Sequence, residues 1–222
     1  MTQAFMNEVE KLKRQVLSLS AMVEERVMLT VRALQERDEG KARQVVGSDR
    51  EIDAAEVEVE EEALKILALH QPVAIDLRFI TAVLKINNDL ERIGDIASNV
   101  AKRTRRLCGK PEVKVPGELI ELGRHVRDML HKALDALINL DAEKAAGVFT
   151  LDDRADDLAR TVRLVAEEAA VETPNLLSLY VDVILAARNF ERIGDLATNI
   201  SEDVVYMVNG IIVRHGLSEE AN

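Results

Sequence analysis

Glu91-Arg-Ile-Gly-Asp95, followed by Ala97 and Asn99, returns as Glu191-Arg-Ile-Gly-Asp195, followed by Ala197 and Asn199, at an offset of 100 residues in a chain of 222. The chain therefore reads as two copies of one unit, each of roughly 105 residues. In both copies the Glu and the Asp stand four residues apart, one helical turn along the same face. A repeat kept only for its core would need apolar residues at those places. Two carboxylates and an Asn kept twice point to a shared task, and binding a cation is the task that fits them.

On either side of these motifs, apolar spacing gives six helical segments. The first covers about 5–37, with Val9, Leu12, Val16, Leu19, Val23, Val27 and Leu34 on one face. Asp38 is placed to cap the second, 39–69, and Pro72 ends it. The third, 73–107, carries the stripe Phe79, Ala82, Ile86, Leu90, Ile93, Ala97 and Val100. The stretch 108–117 holds two prolines and two glycines and divides the copies. A fourth segment, 118–140, precedes a fifth that Asp141 caps and that reaches 172; after Thr173-Pro174 the sixth runs over 175–209. The expected fold is all-α, a tandem repeat of two antiparallel three-helix bundles at 1–110 and 117–222.

Composition agrees. Hydrophobic residues at 47% and charged residues at 31% supply a core and argue against disorder, while 3% aromatics and four prolines suit helices. A net charge of −11 disfavours nucleic acid as a partner, because phosphate contacts need clustered Lys and Arg. The one basic run is Lys102, Arg103, Arg105, Arg106 and Lys110. It reads either as a helix end complementing the macrodipole or as a docking patch for an acidic or membrane-adjacent partner. Cys108 is alone, so no intramolecular disulfide forms and a reducing compartment is expected. The charged N-terminus is unlike a signal peptide, and no apolar run approaches the roughly 18 residues of a membrane span. The expectation is a cytoplasmic chain that meets a membrane only through partners.

A second acidic pair precedes each motif: Asp49 with Asp53, and Asp153 with Asp157. The midpoints of 53 with 91 and of 49 with 95 both fall on Pro72, and those of 157 with 191 and of 153 with 195 both fall on Pro174. Folding each half at its proline thus sets Asp53 opposite Glu91 and Asp49 opposite Asp95, and likewise Asp157 opposite Glu191 and Asp153 opposite Asp195. Packed helix axes lie about 8–10 Å apart, so such carboxylates reach a common centre. Each pair at 4 Å would repel by about 4 kcal/mol at moderate effective dielectric, and a multivalent cation would offset that. The competing reading is a solvated acidic face, with Arg50, Arg92, Arg154 and Arg192 as salt-bridge partners. Asn99 and Asn199 extend each stripe by a turn and could ligate or orient.

All-oxygen donors suit Mg²⁺, Mn²⁺, Ca²⁺ or ferric iron better than zinc. His70, His125, His131 and His215 fall outside the motifs, and none forms the Glu-x-x-His of di-iron bundles. Gly94 and Gly194 sit inside helices at a cost of about 1 kcal/mol each, which points to close helix approach or room for a ligand. No nucleophile with a base, and no Gly-rich phosphate loop, is visible.

With Gln71-Pro-Val-Ala-Ile-Asp-Leu-Arg-Phe79 leading into the first acidic motif, the chain resembles the PhoU family over nearly its whole length. The second copy departs from that pattern, carrying Asn175-Leu-Leu-Ser-Leu-Tyr180 instead. The resemblance implies a non-enzymatic cytoplasmic regulator of phosphate homeostasis, which restrains phosphate uptake and the starvation response when phosphate is plentiful. It further implies a PstB-type transporter ATPase and a PhoR-type sensor kinase as partners, a homodimer, and Mg, Mn or Fe at the acidic motifs. The alternatives are a metal-dependent enzyme using the carboxylate clusters and a metal-free helical scaffold.

Overall fold

The computed structural model describes residues 3–212, and among these it contains helices and no strand. The helices are α1 (Gln3–Glu36), α2 (Glu39–Gly47), α3 (Asp49–His70), α4 (Ala74–Cys108), α5 (Gly117–Asn139), α6 (Ala142–Phe149), α7 (Asp152–Glu172) and α8 (Leu177–Asn209). A 3-10 turn, Pro174–Leu176, leads into α8. These are the six expected segments, with the second and the fifth each interrupted once. At both interruptions a hydroxyl bonds back three residues: Ser48 Oγ donates to the Val45 carbonyl and Thr150 Oγ1 to the Gly147 carbonyl, each at 3.1 Å. Such side-chain bonds compete with the helical ladder and let it restart at a new angle.

Asp38 and Asp141 cap as their positions require. Asp38 accepts from the Lys41 amide, and Asp141 from the amides of Glu143 and Lys144. The apolar stripe of α1 is buried from Leu12 to Leu34, and that of α4 from Ile80 to Leu107. The longest helices run about 50 Å at 1.5 Å per residue.

The repeats meet through equivalent elements. α4 lies against α8 and α1 against α5, and one contiguous core joins Leu12, Ile86 and Leu90 of the first repeat to Leu122, Ile193 and Phe190 of the second. α4 and α8 run antiparallel, since Lys85 pairs with Asp203 while Arg103 and Arg106 both grip the buried Asp182 at 3.1 and 3.0 Å. Two members of the basic run are thereby committed to the seam between the repeats. The connection after α4 is also tied down: Arg37 donates to the carbonyls of Lys110 and Val113, and Val113 is fully buried.

The histidines have structural partners. His70 meets Glu8, His131 meets Glu24, and His125 meets the Leu151 carbonyl. His215 lies outside the described residues. Among those described, no helix is long and apolar enough to cross a membrane.

Candidate metal centres

In each repeat two long helices return on one another through a short turn and present acidic faces. Gln71, in the left-handed conformation at φ 45°, ends α3 and reverses the chain into α4. Near the start of α3 and the middle of α4, Asp53, Glu91 and Asp95 each bring a carboxylate oxygen within 4.8 Å of the other two. Asp53 and Asp95 are exposed and Glu91 is half-buried. Burial lifts the Glu91 carboxyl above the ordinary range, and Asp95, Glu56 and Asp53 push it further. Glu56 is lifted in the same way, by burial and then by Glu60 and Asp53. Spacing alone missed Glu56 and Asn87. Buried Asn87 donates to the Glu56 carbonyl at 3.0 Å and to its Oε1 at 3.2 Å, fixing the fourth carboxylate beside the cluster. Asp49 opens α3, but its side chain lies outside what the structure describes.

Gly94 explains how the helices come so close. A Cβ there would sit 3.2 Å from Ile52 of α3 and 3.5 Å from the Arg26 guanidinium of α1. Arg26 is itself buried and donates to Ser48 Oγ at 3.0 Å, at the break that starts α3. The equivalent glycine, Gly194, faces Val126, Met129 and Ala155 at 3.5–3.7 Å, ordinary contact distances.

The second cluster requires a correction. Asp153 and Asp157 do not face Glu191 and Asp195. The carboxylates that act on Glu191 are Asp156 and Asp152, and those that act on Asp195 are Asp152, Glu191 and Asp156. Asp157 instead pairs with Arg160 at 3.1 Å, both side chains being exposed, and Asp153 is exposed. Folding the chain at Pro174 misplaces the register by one residue because α8 begins only after a 3-10 turn. One residue displaces the level by about 1.5 Å, which is little, but rotates the side chain by about 100°. The helix starts would have given the right pair, since α3 begins at Asp49 and α7 at Asp152.

Asp195 is exposed as a residue, and partial desolvation of its carboxyl raises it to about 6, with the neighbouring Asp152, Glu191 and Asp156 carboxylates adding to it. Glu191 and Asp152 are raised too, in each case by burial first and Asp156 second. Thr198 Oγ1 donates to Asp152 at 3.4 Å. Asn99 and Asn199 are exposed, and neither is hydrogen-bonded to these carboxylates among the described residues.

The donor set of the first repeat fits a hard cation: it is all oxygen and it converges. The carboxylates of the second repeat are all oxygen too, but among the described residues no three of them approach to the same 4.8 Å. Among the described residues none of Asp53, Glu91, Asp95, Glu191 and Asp195 has a salt bridge, whereas Arg92 turns to Asp89 and Arg154 to Glu121. Glu91, Glu191 and Asp195, each raised by partial desolvation and by neighbouring carboxylates and none of them in a salt bridge among the described residues, are groups that a multivalent ion would relieve.

The PhoU domain family matches the chain twice, at residues 16–104 and 119–204. The chain is 40% identical over 215 residues to the phosphate-specific transport system accessory protein PhoU homolog of Pseudomonas putida, covering 96% of this chain and 84% of that one. It is 31% identical to the phosphate-specific transport system accessory protein PhoU of Escherichia coli (strain K12), covering 95% and 88%. The crystal structure of PhoU from Pseudomonas aeruginosa superposes with a TM-score of 0.87 at 39% identity, over 93% of this chain and 99% of that one.

Proposed function

The chain belongs to the PhoU family, and from that premise we propose that it is an accessory protein of a phosphate-specific transport system. In this reading it is a cytoplasmic regulator that restrains phosphate uptake and the starvation response when phosphate is plentiful. It does so by linking a PstB-type transporter ATPase to a PhoR-type sensor kinase, and it pairs with a second copy of itself. The observation that carries the reading is the double match of one domain over relatives that are named as such accessory proteins.

The acidic clusters give the regulator its physical handle. Asp53, Glu91 and Asp95, with Glu56 alongside, would hold one Mg, Mn or Fe ion, and Asp152, Asp156, Glu191 and Asp195 a second. Bound metal supplies charge neutralisation across two helices, α3 with α4 and α7 with α8. The chain's own part is to hold the helices at their spacing, which in the first repeat Gly94 permits. Without a cation, like charges push each pair of helices apart.

The test is metal content of chelator-treated, reloaded protein together with binding to the transporter ATPase. Wild type is compared with Glu91→Ala/Asp95→Ala and Glu191→Ala/Asp195→Ala. The expected result is metal lost from the altered repeat and weaker capture of the ATPase. Equal metal in all three proteins would sink the metal reading, and no capture by wild type would sink the adaptor reading.

A further inference from the structure

Beside the second acidic cluster, α7 and α8 border a groove of about 350 Å³ whose charge is mixed. Asp156 and Glu191 line it, and so do Arg160, Arg163 and Arg188, over a wall that includes Ala159 and Ile184. The first repeat makes this composition informative. Counted from the starts of α3 and α7, the residues matching Ala159, Arg160 and Arg163 are Glu56, Val57 and Glu60; counted from the acidic motifs, Arg188 matches Asn88. Four positions that carry two negative charges in one copy carry three positive charges in the other. The carboxylates are common to both copies, and the arginines are special to the second.

Two of the three guanidiniums have local ion pairs and the third has no salt bridge among the described residues. Arg160 pairs with Asp157 at 3.1 Å and Arg163 with Glu167 at 3.6 Å, both exposed pairs along one helix. Such pairs are weak and exchange readily for a better partner. Arg188 has no salt bridge among the described residues and acts on Glu191 only through space.

We propose that this groove binds a phosphate group, seated by Arg160, Arg163 and Arg188, beside the cation site of the second repeat. The planar guanidinium fork matches two phosphate oxygens at once, and three exposed arginines lining one groove offer that recognition to a single anion. Asp156 and Glu191 would repel an anion if bare, but a cation on them turns that edge of the groove into a further attraction. The phosphate is either the free anion or the phosphoryl group of a larger molecule, and the groove is open enough for both. The first repeat, lined by Glu56 and Glu60 at the same places, takes none. One phosphate per chain is therefore expected. The cation side of this site rests on the metal reading above; the arginine side does not.

The experiment is calorimetric titration of inorganic phosphate, and in parallel of phosphoserine, into the full chain. Each is done on chelator-treated and on Mn²⁺-loaded protein, with Mn²⁺ content measured on the same samples. Arg160→Gln/Arg163→Gln/Arg188→Gln is compared with a control of equal charge loss, Arg14→Gln/Arg32→Gln/Arg43→Gln. The expected result is one bound phosphate group per wild-type chain, about tenfold or more weaker in the groove variant and unchanged in the control. Whichever probe binds more tightly identifies the source. No binding by wild type in either state, or equal weakening in both variants, overturns the groove while leaving the Mn²⁺ result to stand alone. Arginine-dependent binding in a protein that retains no Mn²⁺ keeps the groove and removes the metal reading.

Discussion

One residue of register separates Asp156, which acts on Glu191, from Asp157, which pairs with the exposed Arg160 one turn along α7. Asp156→Asn is therefore expected to weaken Mn²⁺ binding at the second repeat about tenfold, and Asp157→Asn to leave it within about twofold, by titration with a metallochromic dye. The reverse order would restore the register counted from Pro174. Asp195 carries a prediction of its own. Its carboxyl is raised from 3.8 to about 6 by partial desolvation and its acidic neighbours, so it holds a proton more tightly folded than unfolded. Its contribution is full below 3.8 and is lost as pH climbs through about 6. Chelator-treated protein should lose thermal stability from about pH 4 to about pH 7, and Asp195→Asn should flatten that slope. A slope that is unchanged in the variant would assign the effect to other groups.

Among elements, α4 and α8 bear the same motif yet tolerate different things at its centre. A methyl at Gly194 meets Met129 and Val126 at ordinary distance, while one at Gly94 presses on Ile52 at 3.2 Å. Gly194→Ala should therefore gain helix propensity and stabilise by up to about 1 kcal/mol, whereas Gly94→Ala should gain less or lose, in urea unfolding. Equal gains would mean that Ile52 moves aside without cost. The interruptions before α3 and α7 are a second element-scale device. By restarting the helix at a new angle, Ser48 and the 150–151 turn set which side of α3 and α7 faces α4 and α8.

For the molecule as a whole, the seam between repeats is mostly apolar, with one buried charge cluster at its edge. Asp182 has a side chain 2% exposed and is held by Arg103 and Arg106 from the other repeat. Removing both arginines leaves the buried Asp182 carboxylate uncompensated, so Arg103→Ala/Arg106→Ala should destabilise by on the order of 3 kcal/mol. The variant's unfolding should remain a single transition, because one core runs through both repeats. An unchanged urea midpoint would show that apolar packing alone holds the repeats together.

The sequence by itself determined a great deal here, because the signals are local or repeated. Helical periodicity, the caps Asp38 and Asp141, the breaks at Pro72 and Pro174, and the duplication centred on Glu91 and Glu191 depend only on spacing along one chain. The first acidic cluster was legible for the same reason: a three-residue turn with a simple reversal keeps Asp53 level with Glu91 and Asp95. The tertiary structure decided what spacing cannot carry. Azimuth across a 3-10 turn selected Asp152 and Asp156 over their neighbours. Burial of Asn87 against Glu56 and of Arg26 beneath Gly94 depends on three helices meeting. The antiparallel seating of α4 on α8 turned part of a basic run into the clasp on Asp182. A helix writes its own face in its sequence, but its rotation against a partner is fixed only when both surfaces pack.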